Sequence, residues 1–331
     1  MSDFYGRVMP SSKKQLNDRV NDVKNDIEKQ THQLSAEISQ LSSELSNALS
    51  KVDENIQKQE SKFEVLYEHQ KELNGKQTAV EKKVEAFSGK LETIQKTLHS
   101  MEVRSRAILR ESREAVWAQI YHDATCESEW LKVKTFYPGR WAAGYPFLYA
   151  LYRTLNEFQP ECILELGLGQ TTRMIGQYAA SRENCSHVLV EHDQEWIDIF
   201  KQGFELSDKT EILRMDIEEK NYFDEGSCMS YVGFAETIGN RKFDLISIDA
   251  PFGGEGLVYS RMDILQMLPG CLNESFVIFV DDYNRTGEQN MVEKMKEILD
   301  EHGVQYETGI YKGNKETFIL VSKNNRFLCT M

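Results

Sequence analysis

The sequence has no run of 18 consecutive apolar residues, which excludes a hydrophobic membrane-spanning helix. Residues 1–14 contain no apolar stretch of the sort a secretory signal requires. Basic residues are in deficit: 39 Lys and Arg face 53 Asp and Glu, a net charge of −14. Affinity for phosphate backbones comes mostly from Lys and Arg, so a nucleic-acid partner is not expected. The six cysteines (Cys126, Cys162, Cys185, Cys228, Cys271 and Cys329) form no C-x-x-C pair. That spacing suits free thiols in a reducing compartment and argues against a zinc site or a disulfide framework. The expected location is cytoplasmic. Proline is scarce, six in 331 residues, and neither Pro nor Gly occurs between Pro10 and Gly75.

That uninterrupted stretch carries a regular apolar pattern. Residues Leu16, Val20, Val23 and Ile27, then Ile38, Leu41, Leu45, Ala48 and Val52, then Val80, Val84, Phe87, Leu91, Ile94, Leu98 and Met101 recur at spacings of three and four. This is the a/d seam of a coiled coil over residues 16–101. The step from Leu34 to Ile38 and the polar Asn55, Gln59 and Gln77 interrupt the register like stutters. At 1.5 Å per residue the rod would be about 130 Å long. A helix of this kind is unstable alone, so a homo-oligomer, a dimer or trimer, is expected. Residues 1–15 read as a flexible N-terminus. Residues 102–137 read as a helical joint, helical to about residue 134.

The charge sits beyond the rod. Residues 1–110 hold 18 basic and 17 acidic side chains, residues 111–331 hold 21 and 36. After Pro138 short β-branched runs alternate with helical stretches. Strands are predicted at 162–166, 188–191, 210–215, 243–249, 275–280, 306–311 and 317–322. Helices are predicted at 147–158, 172–181, 194–202, 231–238, 259–267 and 288–302. This alternation means βαβ units and a mostly parallel, doubly wound α/β sheet of seven strands that ends in a hairpin, filling residues 138–331. Ligands of such sheets bind at the carboxyl ends of the strands. There the sequence places Glu165, Glu191, Asp216, Asp249 and the pair Asp281 and Asp282.

The first strand runs into Glu165-Leu166-Gly167-Leu168-Gly169-Gln170-Thr171-Thr172. A dinucleotide fingerprint would require a third glycine at Thr172. Its absence argues against a nicotinamide-dependent oxidoreductase. Glu165 beside the turn favours a cationic ligand without phosphates, and Glu191 suits a ribose diol.

These residues resemble the class I S-adenosylmethionine-dependent methyltransferases, over about residues 138–323. The resemblance assigns Glu165, Gly167, Gly169 and Thr171 to the methionine-binding turn, Glu191 to the ribose and Asp216 to the adenine edge. The runs Glu191-His192-Asp193-Gln194-Glu195-Trp196, Asp249-Ala250-Pro251-Phe252-Gly253 and Asp281-Asp282-Tyr283-Asn284-Arg285 are similar to a sugar O-methyltransferase-like group that includes glucuronoxylan methyltransferases. The implied activity is O-methylation of a carbohydrate or sugar-containing polymer. Asp249, Asp281 and Asp282 are then the catalytic candidates, as a general base or as ligands of Mg²⁺ or another divalent cation, the arrangement of cation-dependent O-methyltransferases. Arg261, the pair Arg140 and Trp141, and Tyr145 are expected to face an anionic sugar. His192 is expected to orient its loop or meet adenine, and Trp196 to pack its helix. By analogy with bacterial polysaccharide systems in which a coiled coil measures chain length, a glycan-assembly enzyme is an expected partner. The competing reading is a non-catalytic scaffolding protein on the same fold.

Overall fold

The computed structural model describes residues 10–139, 142–223, 226–254 and 256–330. The chain divides into two units at the Thr97–Leu98 bond. A single helix, α1 (Pro10–Thr125), begins in the first and ends in the second. Within the first unit the predicted seam residues are all exposed in the single chain, Leu16 at 66% and Leu41 at 63%, for example. The opposite faces carry i,i+4 pairs such as Glu54–Lys58 and Glu72–Lys76, both at 2.6 Å. Pairs of this kind add only about 0.3–0.5 kcal/mol each, so they do not replace burial of the seam. Among the described residues no helix is long and apolar enough to cross a membrane. The helix starts at Pro10, inside the segment read as a flexible N-terminus; residues 1–9 of that segment, like Arg140 and Trp141, lie outside the described residues.

In the second unit α2 (Tyr145–Glu157) is followed by β1 (Cys162–Leu166), α3 (Gln170–Ser181), β2 (Ser186–Glu191), α4 (Gln194–Gly203) and β3 (Thr210–Arg214). A small antiparallel hairpin, β4 (Ile217–Tyr222) with β5 (Gly226–Tyr231), precedes α5 (Phe234–Ile238) and β6 (Phe243–Ile248). A 3₁₀ segment (Met262–Met267), β7 (Leu272–Val280), α6 (Thr286–Glu301), β8 (Tyr306–Lys312) and β9 (Glu316–Ser322) complete the unit, with a last 3₁₀ segment at Lys323–Cys329. The main sheet has the order β3-β2-β1-β6-β7-β9-β8. Its first five strands are parallel, and β9 enters antiparallel beside β7. This is the seven-stranded, mostly parallel, Rossmann-like sheet that the sequence predicts.

Alternate residues of each strand feed two cores, as the pleat requires. Leu164, Leu166, Ile246, Ile248, Ile278 and Val280 pack with Met291, Val292 and Met295 of α6 on one face. Ile163, Leu245, Val277 and Phe279 pack with Phe147, Leu151 and Leu155 of α2 and Met174, Ile175 and Tyr178 of α3 on the other. The last turns of α1 cover that second face: the Tyr121 ring lies 6.0 Å from Phe136 and 5.9 Å from Tyr145, and Trp117 Nε1 donates to Lys312 O at 2.9 Å.

Three predicted helices differ. α1 stops at Thr125 instead of near residue 134. Residues 226–231 pair as β5, and Gly233, at φ 67°, delays α5 to Phe234. The stretch 259–267 is 3₁₀ only from Met262, because Arg261 sits in the left-handed region at φ 57°, which no α-helix accommodates.

Candidate active site

The strand order reverses between β1 and β6, so the loops after these strands diverge and open a crevice at their carboxyl ends. On one side lies the turn after β1. Gly167 adopts φ 104°, and a Cβ there would stand 2.9 Å from the Ala250 Cβ, so glycine is required. Gly169 is extended, at φ −164°, and a Cβ would meet nothing within 4 Å. Its backbone needs no glycine; the open space above it is room for a ligand. Thr172, where a dinucleotide fold would have its third glycine, is fully buried and accepts the Gly169 N–H at 2.9 Å. It caps α3. Thr171, assigned to the same turn, is buried as well.

Glu191 ends β2 beside this turn. Its Oε2 accepts the Leu168 N–H at 3.0 Å, and its Oε1 accepts those of His192 and Asp193 at 2.7 and 3.0 Å. Oε2 takes only the Leu168 N–H, so its second acceptor position is the one left for a ligand hydroxyl. Trp196 does more than pack α4: its Nε1 donates to Leu168 O at 2.8 Å and fixes the turn from the other side. His192 holds Nδ1 2.7 Å from Glu191 Oε1 and sets its ring edge against Phe252. Asp216 follows β3 and is exposed, its Oδ1 2.5 Å from Arg214 Nη2. Glu165 is placed beneath the turn, 1% exposed, with Oε2 3.1 Å from His187 Nε2. Neither Glu165 oxygen accepts a hydrogen bond from the described residues.

The tips of β6 and β7 bring together Asp249, Asp281 and Asp282, with ligand oxygens within 4.8 Å of one another. The sequence foresaw that gathering, but it missed the cations that fill it. Arg261 is not turned to a sugar; it is 3% exposed, with Nη2 3.1 Å from Asp249 Oδ1 and 3.0 Å from Asp282 Oδ2, and Nη1 donates to Asp281 O at 2.9 Å. Lys315, in the turn between β8 and β9, holds Nζ 3.2 Å from both Asp281 Oδ2 and Asp282 Oδ1. Arg285 Nη1 reaches Asp282 Oδ2 at 2.9 Å. Glu288, fully buried, lies 3.7 Å from Arg261 Nε.

These charges sort the acids. Removal from bulk water, with the Asp281 carboxylate adjacent, pushes Asp249 up to about 7. Burial raises Asp281 too, against the pull of Lys315. For Asp282 burial is outweighed by Arg261, Lys315 and Arg285, which hold it below the usual carboxylate range. Burial would lower Lys315, but Asp281, Asp249 and Asp282 keep its ammonium above the ordinary value.

A cavity of about 620 Å³ opens beside the cluster, lined among others by Glu111, Tyr145, Asp282, Asn284, Arg285 and Lys315. Glu111 and Glu114 come from the end of α1. Glu114 accepts the Tyr145 N–H at 2.6 Å and the Asn314 N–H at 2.8 Å, binding α1 to the start of α2 and to the β8–β9 turn. Nothing in the helical pattern of α1 singles out Glu114, and Lys315 follows Asp282 by more than thirty residues; only the antiparallel return of β9 brings it back.

No family model matches the sequence, and no curated protein is similar to it. Solved structures do match. An O-methyltransferase from Bacillus cereus in complex with SAH is 17% identical over 65% of this chain and 92% of that one, with a TM-score of 0.37. The O-methyltransferase TomG from Streptomyces achromogenes, in complex with SAM, is 15% identical over 67% and 96%, at 0.36. Spermidine synthase from Thermotoga maritima is 15% identical over 53% and 60%, at 0.34. At such identities and scores the function has to be argued from the residues themselves.

Proposed function

We propose that the protein is an S-adenosylmethionine-dependent O-methyltransferase whose acceptor is a carbohydrate or sugar-containing polymer, and that its first unit joins copies of the chain through a coiled coil. The observation that carries this reading is the turn at Gly167–Gly169: one glycine is demanded by backbone conformation, and the other leaves open space beside Glu191. Gly167, Leu168 and Gly169 would hold the methionine part, and Glu191 the ribose. Glu165, buried next to the turn with its Oε2 3.1 Å from His187 Nε2, puts an acidic side chain there, which suits a cationic ligand better than a pyrophosphate. Bound there, S-adenosylmethionine supplies an electrophilic methyl group on a sulfonium.

The chain's own residues then divide the work. Asp249 adjoins the glycine turn, since its N–H donates to Leu166 O at 2.9 Å, and it belongs to the cluster that borders the cavity. With a pKa of about 7 its carboxylate is suited to take the proton from an acceptor hydroxyl near neutral pH. The cavity is bordered by amides, carboxylates and cations, with Tyr145 as its aromatic face. That supports a polyhydroxylated acceptor over a flat apolar one. Exposure of the whole apolar seam in the single chain supports self-association.

The test is calorimetric titration with S-adenosylhomocysteine. The unaltered protein is expected to bind in the micromolar range. Gly169→Val is expected to keep the melting temperature, because its side chain enters open space, yet to bind at least about tenfold more weakly. An unaltered protein that binds neither S-adenosylmethionine nor its product refutes the reading and favours a scaffolding role.

A further inference from the structure

The cluster at the tips of β6 and β7 has the carboxylates of a divalent-metal site and also has cations of its own. Mg²⁺ requires carboxylate oxygens at about 2.0–2.1 Å in a near-octahedral shell that keeps several waters. Here the space between the carboxylates is taken. Lys315 Nζ bridges Asp281 and Asp282 at 3.2 Å each, and Arg261 Nη2 bridges Asp249 and Asp282 at 3.1 and 3.0 Å. Arg261 is anchored, being buried and also donating to the Asp281 backbone, and Thr317 Oγ1 donates to Asp281 Oδ1 at 3.2 Å. With Arg285 on Asp282, three aspartates meet three cations, and Glu288 adds a fourth carboxylate 3.7 Å from Arg261 Nε and 3.6 Å from Arg285 Nη1.

We propose that Arg261 and Lys315 occupy the place of a divalent cation, so that the site works without a metal, and that Lys315 is the positive charge offered to an oxygen of the acceptor in the cavity. The second part rests on the O-methyltransferase reading; the first does not. Lysine has three N–H donors, and Asp281 and Asp282 engage two. The third is available to the cavity that Lys315 lines, where a sugar hydroxyl or carboxylate oxygen would accept it. A fixed ammonium at that point polarises an acceptor oxygen as a metal would, at a single charge and without a coordination shell.

Mn²⁺ titration followed by electron paramagnetic resonance tests this on the full chain, with S-adenosylhomocysteine titrated into the same samples. The unaltered protein and Lys315→Arg are expected to show no Mn²⁺ site tighter than millimolar. Lys315→Met, which removes the ammonium from between Asp281 and Asp282 while Arg261 and Arg285 remain, is expected to bind Mn²⁺ at least about tenfold more tightly. Micromolar Mn²⁺ binding by the unaltered protein overturns the proposal whatever the variants do. So does a folded Lys315→Met, with unchanged circular dichroism, that gains no affinity. Nucleoside binding together with micromolar Mn²⁺ binding refutes the metal-free site alone. Loss of nucleoside binding with the expected Mn²⁺ pattern refutes the methyltransferase reading, and with it the acceptor role of Lys315, and leaves the metal-free site standing.

Discussion

Single residues at this site are legible in the sequence when their role follows from position along a strand, and hidden when it follows from a return of the chain. Glu191 ends, and Gly167, Asp249, Asp281 and Asp282 follow, strands that announce themselves by apolar runs, so the gathering of the three aspartates could be anticipated. Lys315 and Arg261 reach the same point from a hairpin turn and from a residue at positive φ. Thr172 shows the converse: what reads as a defect in a glycine fingerprint is a helix cap. Asp249 gives a pH prediction. Its carboxyl has a folded-state pKa of about 7 against 3.8 ordinarily, so the folded protein binds this proton more tightly than the unfolded chain. The resulting stabilisation is complete below about pH 3.8 and is lost as pH rises through about 7. Asp249→Asn lacks that loss. Urea unfolding at pH 5 and pH 8 is expected to show a smaller drop in stability for the variant than for the unaltered protein. An equal or larger drop would contradict the assigned environment.

At the scale of elements, strands buried on both faces were readable because they are continuous apolar runs, as in Phe276–Val280 of β7. The β4–β5 hairpin was not, because Ile217-Glu218-Glu219-Lys220-Asn221-Tyr222 is charged and largely exposed. It is attached through β5: Cys228 and Tyr231 are buried in the core, and Asp263 Oδ1 accepts from Ser230 Oγ at 2.5 Å and from the Tyr231 N–H at 2.8 Å. The end of α1 is attached in a similar way. Glu114 satisfies an N–H at the start of α2 and another in the β8–β9 turn, and the glycines at 144 and 313 leave space for its carboxylate. Glu114→Ala strands the part-buried Tyr145 N–H and leaves the exposed Asn314 N–H to water, which predicts a loss of about 1 kcal/mol in urea unfolding of the second unit. Glu114→Gln keeps an acceptor for one donor and should lose less. A neutral Glu114→Ala would mean that water replaces the carboxylate at both N–H groups.

For the molecule as a whole, the sequence suggests a division through a change of period, from three and four in residues 16–101 to alternating strands and helices after Pro138. The structure divides the chain at Thr97–Leu98, inside the predicted seam, and within the second unit the last turns of α1 pack on the sheet. The remaining seam has no such cover within one chain: Leu41 and Leu45 are each 63% exposed, on a helix far too long to be held by its surface ion pairs. Burying one leucine contributes about 1.5–3 kcal/mol, so replacing both with Glu in a dimer removes four buried side chains and at least about 6 kcal/mol, on the order of 10⁴-fold in association. Sedimentation equilibrium is expected to show an oligomer for the unaltered protein and a shift towards monomer for Leu41→Glu/Leu45→Glu. Because these positions lie in the first unit, S-adenosylhomocysteine affinity per chain should not change. An oligomer that survives the double substitution would place self-association on the second unit and leave the exposed seam without its proposed partner, a second copy of itself.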